Sequence, residues 1–324
     1  MFSRIRRASY CAFAVAAAAL LSSCSGSAGS PGDSGTISIS VGALPVVDDV
    51  SLYIAANDGI FKKFGLDVKV VPVQQSTKAI PLMQSGKLDI VGGGNYVSFI
   101  QLAAKDPANP PFKILTEAAT CATGAFNVLA LPDSGINTPK DLEGKTIAVN
   151  LTNNIQTLMI DEDLRADNVD AAKVHYVVVP FPQMSTALKS HKVDAIGVVE
   201  PFVTLAEQTV GAGSVLDLCS GPTTALPLSG YLATSTWAGQ HPEAVHRFRE
   251  AISEAQEIAD TNRVEVEKTL VKYVPKLTSE QAATISLAQF PTSADAVQLN
   301  RVSDLMREAG LINKSLTASA LIQK

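Results

Sequence analysis

Apolar positions along this chain alternate first with a period of two, then with a period of three to four, and the order recurs. From Thr36 the run TISISVGAL alternates up to Pro45, which predicts a strand. A loop through Val46–Val50 follows. Leu52, Ile54, Ala55 and Phe61 then mark a helix over Leu52–Phe64, closed by Gly65. LDVKVVP reads as a second strand, Ala79–Ser85 as a short helix and LDIVGGG as a buried third strand. Asn95 is a candidate N-cap for the next helix, and Phe112–Glu117 a further strand.

The unit is written twice. Between Val41 and the VVP that begins at Val70 lie 29 positions, and 29 again between Val149 and the VVP that begins at Val178. Each VVP leads through a short helix to matching ends, SGKLDI at Ser85–Ile90 and SHKVDA at Ser190–Ala195, an offset near 108 positions. Strands that alternate with helices imply parallel sheets. The expected fold is therefore α/β with two lobes, each a mostly parallel sheet flanked by helices, and a cleft between them. Phe126–Leu131 reads as the crossing into the second lobe and Leu226–Thr234 as the return. The expected division is residues 36–127 and 231–324 in lobe one and 128–230 in lobe two.

Lobe two runs through the strand Thr146–Asn150, a helix Ile155–Arg165, the VVP strand, a helix Ser185–Ser190 and a strand Ala195–Val199. Three helices are expected after the return. One starts at Pro242 with apolar Val245, Phe248, Ile252, Ala255 and Ala259. The other two are opened by capping patterns at Thr278–Gln281 and Thr292–Asp295. They are expected to complete lobe one.

The first 23 residues have a different pattern. Arg4, Arg6 and Arg7 precede the apolar run Tyr10–Leu21, the layout of a secretory signal and too short to span a bilayer comfortably. Leu21-Ser22-Ser23-Cys24 is similar to the lipoprotein cleavage box, so Cys24 is the expected lipidation site and residues 24–35 a Gly/Ser/Pro-rich tether. The body is then expected outside the cytoplasm, held to the bacterial cell membrane by lipid.

Composition narrows the chemistry. The chain has 324 residues, a net charge of −5 and 6% aromatic residues. No basic run follows the first few residues, so nucleic acid is not an expected partner. Gly144-Lys145-Thr146 is no phosphate loop, because Pro139 stands where that motif needs glycine and Thr146 opens a strand. Gly92-Gly93-Gly94 lacks the third glycine of a dinucleotide loop, Val97 standing there instead. The four histidines are scattered, so neither a metal nor a cofactor is expected. With Cys11 in the signal, Cys121 and Cys219 remain as either a disulfide or two buried thiols.

In open α/β sheets ligands bind beyond the carboxyl ends of strands. That singles out Pro45, Asp48 and Asp49, then Gly94, Asn95 and Tyr96, then Asn150, Thr152, Asn153 and Asn154, and Glu200, with Phe181 and Ser229 beside them. These loops lead into helices and offer free N–H groups to an anion such as a sulfonate. Yet they hold no Lys or Arg and do hold Asp48, Asp49 and Glu200, which favours an amine or an N–H heterocycle. Tyr96, Phe99, Phe181 and Phe202 could sandwich a ring, but such rings are more often core than cleft.

ALPVVDDVSLYIAANDGIFKKFGLDVKVVP, SGKLDIVGGG, TPKDLEGKTIAVN, KVDAIGVVEPF and GYLAT resemble the periplasmic binding proteins for nitrate, alkanesulfonates, taurine and thiamine-pyrimidine precursors. The resemblance covers Thr36 to about Arg249. It implies a two-lobed, type II-like periplasmic-binding-protein fold joined by two crossing strands. It also implies a monomer that clamps a small-molecule solute and delivers it to the permease and ATPase of an ABC importer. Some relatives are enzymes that make the pyrimidine, with a cysteine cluster that this chain lacks. A non-catalytic solute receptor is therefore expected, with a pyrimidine-precursor enzyme on the same scaffold as the alternative.

Overall fold

The computed structural model describes residues 35–314 and 316–324. The signal Met1–Ser23, Cys24 and the tether up to Ser34 lie outside the described residues. The first sheet starts with β1 (Ile37–Ala43). It is followed by α1 (Val50–Asn57), α2 (Ile60–Lys63), β2 (Leu66–Pro72), α3 (Ile80–Gln84), β3 (Ile90–Asn95), α4 (Tyr96–Ala103) and β4 (Phe112–Thr120). One helix was expected over Leu52–Phe64. Two form, because Gly59 takes a φ of 75° and breaks the run before Ile60.

The second sheet takes β5 (Phe126–Ala130), β6 (Thr146–Val149), α5 (Ile155–Ala166), β7 (His175–Val178), α6 (Phe181–Lys189), β8 (Ala195–Val199), α7 (Phe202–Val210) and β9 (Gly213–Asp217). β10 (Pro227–Thr234) returns to the first sheet, and α8 (Ser235–Gln240), α9 (Pro242–Thr261), α10 (Arg263–Tyr273), α11 (Ser279–Ala282) and α12 (Ala296–Glu308) follow. The expected cap at Thr292 does not form. Asp295 caps α12 instead, accepting from the amides of Val297 and Gln298.

The strand orders are β2-β1-β3-β10-β4 and β7-β6-β8-β5-β9. In each sheet the three strands of the repeated unit are parallel and one strand runs against its neighbours. That reversed strand is the one delivered by the chain returning from the other sheet: β5 follows β4, and β10 follows β9. Val41 pairs with Val70 and Val149 with Val178, so the 29-residue spacing read from the sequence is the register of both parallel pairs.

The two crossings run side by side. Cys121 and Cys219 are joined by a disulfide with Cα atoms 5.2 Å apart. The amide of Cys121 donates to Leu226 O (2.9 Å), and that of Gly124 to Asp217 Oδ2 (3.1 Å). The final helices are not confined to one sheet. α9 packs on α1, α2 and β2, whereas α11 also touches α7, and Arg301 on α12 donates to the carbonyls of Pro222 and Thr224.

Behind the first sheet lies a polar patch in the core. The Glu117 carboxyl is buried and accepts from the Thr120 hydroxyl, while Gln256 Nε2 donates to the Glu117 carbonyl (2.6 Å). Burial pushes the Glu117 carboxyl up to about 7, against the opposing pull of Thr120 and of the Asp295 amide. Its folded value lies above its unfolded one, so the native state holds a proton that the unfolded chain lacks between pH about 4.5 and 7. Stability should therefore fall across that window as pH rises. Glu117→Gln carries no such titration. Urea unfolding at pH 5 and pH 8 should show the variant gaining on the native chain by on the order of 2–3 kcal/mol as pH rises. A constant difference would refute the assignment.

The glycines of β3 make room for a carboxylate. A Cβ built on Gly92 would lie 2.4 Å from Asp49 Oδ1 and 3.1 Å from Tyr231 Cε1. Asp49 has no exposed surface and cannot swing aside without losing its bond to the Leu44 amide. Gly92→Ala should cost about 1–3 kcal/mol through overpacking. Gly213→Ala on β9, where a Cβ meets nothing within 4 Å, should change little. Equal melting temperatures for the two variants would mean that Asp49 can rearrange at no cost.

Candidate functional site

A cavity of about 60 Å³ lies where the carboxyl ends of the two sheets meet. Its walls come from both. Leu44, Val46, Asp48, Gln75, Ser76, Gly93, Asn95, Leu228 and Ser229 belong to the first sheet and its loops; Phe126, Asn150, Leu151, Asn154, Ile155, Gln156, Phe181 and Val199 belong to the second. Asp48 is the one ionisable side chain among these lining residues.

The loop after β1 closes into a single 3-10 turn, Val47–Asp49, that runs directly into α1. This packs two successive carboxylates into the protein. Asp49 occupies the N-cap position of α1 but makes no side-chain capping bond. Its Oδ2 accepts from the Leu44 amide at 2.7 Å and so pins the loop to the end of β1. Burial raises its carboxyl well above the ordinary range, and the charge of Asp48 adds to that effect. Asp48 faces the cavity. Its Oδ2 accepts from the Ser229 hydroxyl at 2.7 Å, on the reversed strand β10. Its Oδ1 is buried and has no hydrogen-bond partner.

Helix ends shape two further walls. Asn95 caps α4, with Oδ1 accepting from the Ser98 amide (3.0 Å), and its Nδ2 donates to Ser76 Oγ (3.1 Å). Asn154 caps α5 through the Thr157 amide (3.1 Å). Gln156 then ties the β6 loop to β8: its Oε1 accepts from the Asn150 amide (2.8 Å) and its Nε2 donates to the Gly197 carbonyl. That bond fixes Asn150, whose carbonyl accepts from Gln75 Nε2 across the cleft at 2.6 Å. Asn150 Oδ1, like Asp48 Oδ1, is buried without a partner. A second bond bridges the cleft, from the Val47 amide to the Glu200 carbonyl (3.0 Å). The remaining wall is apolar, with Phe181 stacked on Phe202 at 5.6 Å and Phe126, Val199 and Leu228 beside it.

Of the residues singled out from the sequence, Asp48, Asn95, Asn150, Asn154, Phe181 and Ser229 line this cavity. Pro45, Asp49, Gly94, Tyr96, Thr152, Asn153 and Glu200 do not. Tyr96 is core, Thr152 is half-buried and Asn153 is exposed. The Glu200 carboxylate points away, accepting from Thr204 N and Oγ1 (3.1 and 2.8 Å) and from the Ser286 amide (3.0 Å). Burial lifts it to about 7, against those three bonds. Gln75 and Ser76 were missed. They follow β2, a fifth strand end that the same carboxyl-end rule covers.

Comparison with known proteins agrees with this architecture. A protein of Brachyspira hyodysenteriae named as an ABC transporter periplasmic binding protein is 30% identical over 203 residues, 58% of this chain and 56% of that protein. The match thus spans little more than half of that relative's length. The alkanesulfonate-binding protein of Xanthomonas axonopodis pv. citri superposes with a TM-score of 0.73 at 16% identity, covering 89% of this chain and 99% of that one. The periplasmic nitrate-binding protein of Synechocystis gives 0.67 at 18%, over 80% and 73%. These two likenesses are of fold. The family described as NMT1/THI5 like matches residues 48–263, well over half of the sequence, and the chain belongs to that family.

Proposed function

We propose that this protein is an extracytoplasmic receptor that captures a small solute between its lobes, as a monomer, and hands it to the permease and ATPase of an ABC importer. The observation that carries this reading is the cavity walled by both sheets and bridged by the Val47–Glu200 and Gln75–Asn150 bonds. A site walled by two bodies is suited to capture and release. The relative named as a periplasmic binding protein and the sulfonate- and nitrate-binding neighbours support it. The role is binding and not catalysis: the two hydroxyls in the lining, Ser76 and Ser229, face Asn95 and Asp48 and have no histidine or lysine beside them as a base. The domain division follows the sheets, with lobe two inserted between the two crossings.

Purified protein challenged with sulfonates, nitrate, pyrimidines and small amines should melt higher with its solute, by an amount that grows with solute concentration. The solute should come back unchanged after denaturation. A chemically altered product would favour the pyrimidine-precursor enzyme.

The lipid anchor is part of the same proposal. Cys24 after Leu21-Ser22-Ser23 holds the receptor near its importer, and residues 24–35 let it stand off the surface. Cys24→Ala should move the protein from the membrane fraction to the soluble fraction with its melting temperature unchanged. Retention in the membrane would refute the anchor.

A further inference from the structure

We propose that the solute is a small organic cation, a primary amine or amidine whose N–H groups bond Asp48 Oδ1 and Asn150 Oδ1 together while its carbon body meets Phe126, Phe181 and Val199. The inference rests on the solute-receptor reading and adds the chemistry of the solute. Two residues of the lining, one on each lobe, each carry a buried oxygen without a partner, Asp48 Oδ1 and Asn150 Oδ1. Asp48 is 8% exposed and Asn150 7%. A buried acceptor without a donor is costly, so both demand a hydrogen-bond donor from whatever fills the cavity. A sulfonate or nitrate has only acceptors, and would add its charge beside the single ionisable group there, a carboxylate. The lining has no Lys, Arg or His to offset that repulsion.

Most of the other polar groups in the wall are already engaged. Ser229 donates to Asp48, Asn95 Nδ2 to Ser76, Gln75 Nε2 to the Asn150 carbonyl, and Gln156 at both ends. The buried side-chain atoms of the wall that lack a partner are both acceptor oxygens. Burial also raises the Asp48 carboxyl, the Ser229 bond and its own amide opposing that rise; a cation at Oδ1 favours the ionised form. A cavity near 60 Å³ admits a body of only a few heavy atoms, well below the roughly 150 Å³ that accepts benzene. Because the donors would reach one oxygen on each lobe, the ligand itself would link the lobes.

The test uses the full chain, with ethylammonium, propylammonium and acetamidinium chlorides against sodium nitrate and sodium methanesulfonate at matched ionic strength. Calorimetric titration should show a cation binding and the anions not. Asp48→Asn keeps a partner for Ser229 and should weaken cation binding at least tenfold; Asn150→Ala should weaken it by a smaller factor. Gly213→Ala on β9, outside the cavity, should bind the cation as the native chain does and serves as the control. Cation affinity unmoved by Asp48→Asn overturns the inference. Binding of nitrate or methanesulfonate alone overturns it too, and leaves the solute-receptor reading standing. If neither set binds and protein recovered from cells releases no small molecule on denaturation, both readings fall.

Discussion

Parallel pairing is the constraint from which the rest of this structure follows. A parallel strand must return through a crossover, and here the crossovers are helices. The repeated strands of each sheet therefore end on one edge, and every loop on that edge leads into a helix. Two such edges face each other. The one strand in each sheet that runs the other way, β5 or β10, is supplied by the chain as it arrives from the opposite sheet. Each lobe is thus completed by a strand that enters it through the crossing, and the crossings are tied by Cys121–Cys219 and by the Cys121 amide to Leu226. A link closing a loop of sequence separation 98 restricts the unfolded chain strongly, and it holds together the two segments about which the lobes could turn.

Four carboxylates lie in or near this frame, and their neighbours give them different roles. Asp49 anchors a loop, through Leu44. Glu200 caps the start of α7 and holds the segment at Ser286, while its backbone carbonyl reaches the other lobe at Val47. Glu117 is a core group whose charge is costly near neutral pH. Asp48 alone faces the cavity with an oxygen unused. Chemically similar side chains, three of them at strand ends, are sorted into anchor, cap and candidate ligand group by packing.

That sorting marks the limit of what could be read beforehand. The architecture was legible because it depends on local pattern: the Val41–Val70 and Val149–Val178 spacings are the strand registers, and Asn95 and Asn154 cap the helices they precede. Pattern along one strand says where a loop is, but not which way its side chains turn. Glu200 turns to Thr204 and Ser286, the latter 86 positions away, and no local rule couples those positions. Asp48 and Asp49 read alike on sequence, as neighbouring strand-end carboxylates; the turn presents Asp49 to Leu44 and Asp48 to Ser229 on a distant strand. Gln75 follows the same carboxyl-end rule as the other loops. Its partner Asn150 lies on the other lobe, so the bond between them becomes visible only when the cleft is closed.

The balance between open and closed forms follows from the same contacts. Three hydrogen bonds span the cleft near the cavity, from the Val47 amide to the Glu200 carbonyl, from Gln75 Nε2 to the Asn150 carbonyl and, at 3.5 Å, from Asn150 Nδ2 to the Gln74 carbonyl. Each exchanges a bond to water for a bond to protein and is worth only about 1 kcal/mol net. Closing on an empty cavity also strips water from Asp48 Oδ1 and Asn150 Oδ1 and gives nothing back, a cost of roughly 1–3 kcal/mol per group. These polar terms oppose each other, so the cleft bonds alone give an empty protein little reason to close. A solute that satisfies both oxygens removes the opposing term and leaves the cleft bonds as gain. On the proposed solute chemistry, selectivity and closure would share one cause: a ligand without donors would fail to hold the lobes together for the same reason that it would fail to bind.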